Sequence, residues 1–168
     1  MEILKTSADR IVLDLRSNPG GYLERAQDVA GWFLEKSQVV VIEDFSEKEE
    51  QIVYKAKGGS EFLTYPIVIL INEGTASASE ILASALRDNR GIKLIGKTSY
   101  GKGSVQTLID LKEHYALKLT TAKSCMRGAP SSEAPALSAE TPGSTSTTGP
   151  GRSPGRLRLC NHHQRAVP

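Results

Sequence analysis

A layered α/β domain followed by a tail that cannot build a core is what this 168-residue sequence predicts, and three observations carry the prediction. Short β-branched runs alternate with amphipathic helical patterns along residues 1–123. One of those runs, Ile67-Val68-Ile69-Leu70-Ile71, is apolar at every position, as befits a strand covered on both faces of a parallel sheet. All nine aromatic residues lie within 1–123 and none within 124–168.

Each element has its own local justification. Ile11-Val12-Leu13-Asp14-Leu15 reads as the first strand, and Asn18-Pro19-Gly20-Gly21 ends it in a tight loop. Tyr22, Ala26, Val29, Ala30 and Phe33 then recur at helical spacing, widened by Leu23 and Leu34, which predicts an amphipathic helix over 22–36. Val39-Val40-Val41-Ile42 predicts a second strand and Gln51 to Lys57 a third, joined by the polar stretch Glu43 to Glu50. Pro66 opens the wholly apolar strand, and Asn72-Glu73-Gly74-Thr75 turns the chain. Ala78, Ile81, Leu82, Ala85 and Leu86 share one face of a helix over 76–88, which Asn89-Arg90-Gly91 stops. A short strand over 92–95 leads into the glycine loop 96–103. Strands over 105–111 and 116–122 close the series, with Lys112-Glu113-His114 as their hairpin turn.

Composition excludes several classes of partner. Twenty-one basic and 19 acidic residues leave a net charge of +2, so neither nucleic acid nor an anionic membrane is indicated. No apolar run reaches the roughly 18 residues of a membrane span, and Met1 to Arg10 lacks the apolar centre of an export signal. Two cysteines are too few for a disulfide framework. Charge and composition also divide the chain: 1–123 carries a net −1, whereas 124–168 carries five arginines, no lysine and a net +3. That tail holds six of the eight prolines, seven serines, five glycines and both cysteines. Such a segment buries too little surface to offset its backbone entropy, so 124–168 is expected to be disordered. Cys125 and Cys160 read as free thiols, and Cys160-Asn161-His162-His163 makes a poor tetrahedral metal set.

Three glycine-rich loops follow apolar strands, the place where open α/β sheets put their ligands. The most informative is Gly74-Thr75-Ala76-Ser77-Ala78-Ser79-Glu80, a sharp turn from a strand into a helix. There the free N–H groups and the positive end of the helix dipole can hold a developing oxyanion beside Ser77. A serine needs a base, and His114, in a hairpin turn, is a poor one. A lysine can act instead where burial leaves it neutral, and Lys102, between Gly101 and Gly103, is the candidate. On the residues alone the simpler readings stay open: Ser77 and Ser79 as helix caps, Lys102 as a solvated loop lysine, Gly20-Gly21 as a plain turn.

Four segments, taken in order, make the sequence similar to a known family. They are Asp14-Leu15-Arg16-Ser17-Asn18-Pro19-Gly20-Gly21, Asn72 to Ile81 (Asn-Glu-Gly-Thr-Ala-Ser-Ala-Ser-Glu-Ile), Gly101-Lys102-Gly103-Ser104-Val105-Gln106 and Leu117-Lys118-Leu119-Thr120-Thr121-Ala122-Lys123. Over residues 10–123 the chain resembles the carboxy-terminal processing peptidases, or tail-specific proteases, which are serine proteases on a ClpP/crotonase-like sheet-and-helix scaffold. The resemblance implies Ser77 as nucleophile, Lys102 as general base and Gln106 as the residue that orients the lysine. It implies an oxyanion hole from backbone N–H groups of Ala78 and the Gly20-Gly21 loop. Asp88 matches an acidic position important in some members, though its neighbour Arg87 points to a structural part. The implied reaction is acyl transfer on protein or peptide substrates near their C-termini, with no metal or organic cofactor, in a periplasm, cell envelope or plastid lumen.

Competing expectations stand beside this one. Gly91 to Thr98 fits the letters of a phosphate-binding loop, but its inner residues are strand-like and no helix follows, so no nucleotide is expected. A crotonase-like enzyme of acyl-thioesters would not need the Ser77–Lys102 pair. Members of the family carry a PDZ module before the first motif, and only Met1 to Arg10 precede it here. The expectation is therefore a truncated catalytic domain over 1–123, which as an inactive fragment would at most bind peptides. After Lys123 the family's pattern gives way abruptly, which suggests a shifted reading frame or a chimeric gene behind 124–168.

Overall fold

A computed structural model describes residues 3–45, 51–111, 115–125 and 136–140. The expected hairpin turn with His114, the Cys160 to His163 cluster and most of the tail lie outside the described residues. A short 3-10 turn, Ile3–Lys5, precedes two sheets and two helices. The elements are β1 (Ile11–Asp14), α1 (Leu23–Phe33), β2 (Val39–Asp44), β3 (Ile52–Lys55), β4 (Ile67–Ile71), α2 (Ala78–Arg90), β5 (Lys93–Gly96), β6 (Ser104–Asp110) and β7 (Ala116–Cys125). Every expected strand and helix forms, β4 with its expected bounds and the others with shifted ends.

The strand–helix–strand repeats build a parallel sheet of order β1-β4-β5, with Leu13 beside Ile69 and Ile69 beside Leu94. Helices α1 and α2 pack on each other. Ile69, Ile71, Ala30, Leu34, Ala83 and Leu86 are wholly buried in one apolar cluster that joins sheet to helices. Strand β4 departs from the expected two-sided burial, because Ile67, Val68 and Leu70 are only half-buried. The strand is central in hydrogen bonding, but its two faces are covered unequally.

The remaining strands form an antiparallel sheet of order β3-β2-β7-β6. Strand β2 packs against α2 and buries Val40, Val41 and Ile42. The two helix ends also differ from the periodicity. Helix α1 stops at Phe33, since Leu34 is extended although its N–H still reaches Ala30 O at 2.9 Å. Helix α2 runs on to Arg90 and closes on Gly91, whose φ of 67° is the left-handed conformation glycine adopts without strain. Arg90 then donates to Phe33 O, Phe62 O and Tyr65 O at 3.2, 3.3 and 3.0 Å, fastening the helix to the turn around Phe62.

The expected disorder of 124–168 does not extend to Ser124 and Cys125, which end β7, nor to residues 136–140. Leu137 is 2% exposed and joins the core cluster. Glu140 N–H donates to Leu94 O at 2.7 Å, and Gly96 N–H to Glu140 O at 3.3 Å, so this segment runs beside β5. The outer side of β5 is an edge whose backbone groups need partners, and a small apolar segment supplies them.

Candidate active site

The three glycine-rich loops meet because backbone and short polar side chains tie them together. Asn72 Oδ1 accepts from Ser17 N–H at 2.7 Å and from Gly74 N–H at 3.0 Å, clamping the loop after β1 to the loop after β4. The fully buried Thr75 donates its hydroxyl to Leu15 O at 2.7 Å, and Ala76 N–H donates to Asn18 O at 3.0 Å. Tyr100 N–H reaches Thr75 O at 2.9 Å, which brings in the loop after β5. Gly20 consequently lies against the start of α2: a Cβ there would sit 2.6 Å from Ala76 O and 2.7 Å from Ala78 N, at a φ of +94°. Only glycine fits that position.

Ser77 stands at the entry to α2 with φ 56° and ψ −123°, a conformation that costs a non-glycine residue on the order of 1–3 kcal/mol. The expected helix start at Ala76 is therefore corrected to Ala78, because the turn consumes both small residues. Ser77 N–H donates to Glu80 Oε2 at 3.0 Å. Glu80, 1% exposed, also accepts from Lys102 N–H on the same oxygen at 2.9 Å. Its other oxygen accepts from Gly101 N–H at 2.7 Å and from the Ser99 hydroxyl. One buried carboxylate thus holds the backbones of Ser77 and Lys102, and four donors offset its desolvation. The residue reading overlooked this role, although glutamate three places after a capping serine is a recognisable spacing.

Lys102 Nζ donates to Gln106 Oε1 at 3.2 Å. A register shift between Val105 and Gln106 re-aims the strand at this point. Ser77, Ala78, Lys102, Gln106 and Gly21 all line one cavity of about 570 Å³. Among the expected donors, Gly20 N–H is engaged by Asn18 Oδ1 at 3.0 Å. The N–H groups of Gly21 and Ala78 have no acceptor among the described residues. Asp88 does not line the cavity: its Oδ1 accepts from Arg87 Nε at 2.7 Å, and its buried Oδ2 has no partner among the described residues.

The rest of the cavity wall was not legible from motifs. Leu23, Phe45, Ile52 and Ile81 give it an apolar part, among polar lining residues such as Ser104, Thr107 and Thr121. Glu43, 6% exposed, lies in the same wall and accepts the Tyr54 hydroxyl at 2.9 Å. Burial first, and then the bond to Glu43, push the Tyr54 phenol up to about 12. At the outer edge of the loop after β1, the Arg16 guanidinium grips Asp14 at 2.9 and 2.7 Å and holds its carboxyl down at about 2.

Comparison with known proteins adds to this geometry. The family model for peptidase family S41 matches residues 1–134. The carboxy-terminal-processing protease of Bartonella bacilliformis is 50% identical over 112 residues, 66% of this chain and 25% of that protein. The carboxy-terminal processing protease CtpA of Bacillus subtilis is 38% identical over 119 residues, 71% of this chain and 25% of that protein. The chain thus spans about a quarter of the length of these curated relatives. Among solved structures, a photosystem II D1 C-terminal processing protease superposes with a TM-score of 0.69 at 30% identity, over 83% of this chain and 36% of that one.

Proposed function

The chain belongs to peptidase family S41, and from that premise we propose that it carries the catalytic part of a serine endopeptidase acting on proteins near their C-termini. Residues 1–123 are the catalytic unit in this reading, and a periplasm or cell envelope is its setting. The observation that supports it most is the Glu80 carboxylate, which holds the backbones of two residues 25 positions apart at one cavity.

The chemistry is acyl transfer. Lys102, as the free amine, takes the proton of the Ser77 hydroxyl as its oxygen attacks a peptide carbonyl. Gln106 Oε1 accepts from Nζ and aims it. Gly21 and Ala78 N–H groups hold the tetrahedral oxyanion, while Gly20 supports them through its close approach to Ser77 and its bond to Asn18. The lysine ammonium returns its proton to the leaving amine, the C–N bond breaks, and an ester on Ser77 is left. Water, deprotonated by Lys102, hydrolyses that ester and restores the serine. Asp88 supports the end of α2 through Arg87 and takes no part in the proton transfers.

An activated phosphonate that labels serine nucleophiles tests the assignment. Mass spectrometry is expected to place the label on Ser77 and to find it lost in Lys102→Ala. Labelling elsewhere, or equal labelling of Lys102→Ala, rejects the dyad. Turnover of an acyl-thioester with no peptide cleavage would favour the crotonase-like alternative.

A further inference from the structure

The cavity beside Ser77 contains a charged group that the reaction does not use. Glu43 sits on β2, paired with Ile52 of β3 and Ser124 of β7. It is nine-tenths buried, and only Oε2 is engaged, by the Tyr54 hydroxyl at 2.9 Å. Oε1 has no partner among the described residues, and it is not sealed off as Asp88 Oδ2 is. A carboxylate oxygen on a mostly buried side chain, with restricted access to water and no protein donor among the described residues, is incompletely solvated, so an arriving donor gains more there than at an exposed acid.

The surroundings narrow what that donor can be. Leu23, Phe45, Ile52 and Ile81 give part of the cavity apolar walls, enough to lie along methylene groups. Lys102 Nζ is engaged by Gln106. Lys118 and Glu24 also line the cavity, but both are exposed and solvated, where salt screens them.

We propose that this cavity selects a basic substrate residue, lysine or arginine, close to the scissile bond, and that Glu43 is the group that recognises it. The aliphatic stem lies along the apolar walls and the terminal cation donates to Glu43 Oε1. Tyr54 is the positioning residue: its hydroxyl occupies Oε2 and leaves Oε1 as the free acceptor. The inference rests on the peptidase reading for its substrate, since Ser77 and Glu43 share one cavity.

Binding to the full chain carrying Ser77→Ala tests selectivity without cleavage. Fluorescently labelled alanine-based peptides would carry lysine, norleucine, acetyl-lysine or glutamate at each position in turn, read by anisotropy. Lysine at one position is expected to bind about tenfold more tightly than norleucine or acetyl-lysine there, the scale of one charge-assisted hydrogen bond. Adding Glu43→Gln should remove the preference, and adding Tyr54→Phe, which frees Oε2 and unfixes the carboxylate, should weaken it severalfold without abolishing it. Equal binding of lysine and norleucine at every position, no binding of any peptide, or a preference that survives Glu43→Gln overturns the proposal. If Glu43→Gln does not fold, the acetyl-lysine series and Tyr54→Phe still decide. Cleavage by the unsubstituted chain is scored separately. Lysine-selective binding without any cleavage rejects the peptidase reading and leaves the pocket, whereas cleavage without selectivity rejects only the pocket.

Discussion

The two sheets differ in how firmly they hold what they carry. The parallel sheet delivers Ser77 from β4 into α2, among side chains such as Ile69, Ile71 and Leu86 that no solvent reaches. The hairpin β6–β7 carries Gln106 and follows directly on Lys102, and its outer residues Ile109, Leu117 and Leu119 are each more than 40% exposed. Ser77 therefore inherits its position from a packed core, and Lys102 from a loop fixed mainly by hydrogen bonds. Glu80 is the connection between the two, because it belongs to α2 and binds the Lys102 backbone.

Replacing the proposed base is the sharpest way to test that division. Lys102→Ala is expected to lower peptide cleavage by about a thousandfold, within the usual range for a general base, while leaving the melting temperature nearly unchanged. A loss of fold in this variant would mean that the loop is part of the core. Stability should respond in the opposite region. Leu86→Ala is expected to cost about 2–5 kcal/mol in denaturant unfolding, as large-to-small changes at closed sites do, whereas Leu119→Ala should stay within about 0.5 kcal/mol. Similar losses at both positions would erase the contrast.

Glu80→Gln probes the connection itself. The substitution keeps the shape but turns one acceptor oxygen into an NH2 donor, so two of the four bonds lose their acceptor and the other two lose their charge; cleavage should fall by about ten- to a hundredfold with an intact far-ultraviolet spectrum. Unchanged activity would show that Lys102 is positioned without it. The smallest effect lies at alkaline pH. The Tyr54 phenol is raised to about 12 from an unfolded value near 10, so its contribution is fully present below about pH 10 and is lost as pH rises through 12. The phenolate absorbance should show one late-titrating tyrosine, and Glu43→Gln should bring it partway back.

How much was legible depended on how far apart the cooperating residues lie in the chain. Periodicity located α1, α2 and the strands, because burying one face of a helix or strand is a local demand on neighbouring residues. It misplaced their ends by one to three residues, since Leu34 and Ser77 adopt backbone angles imposed by their surroundings. The serine turn and the lysine loop were also visible, as small residues and glycines cluster wherever backbones approach closely.

Residues 1–123 on their own determined where strands, helices and sharp turns can form. Tertiary structure alone decided that Glu80 reaches the backbone of Lys102, that Glu43 and Tyr54 wall the same cavity, and that Leu137 buries beside β5. Each of those contacts joins different elements of the chain. No local pattern specifies them, because which polar group finds which partner follows from how whole sheets and helices pack.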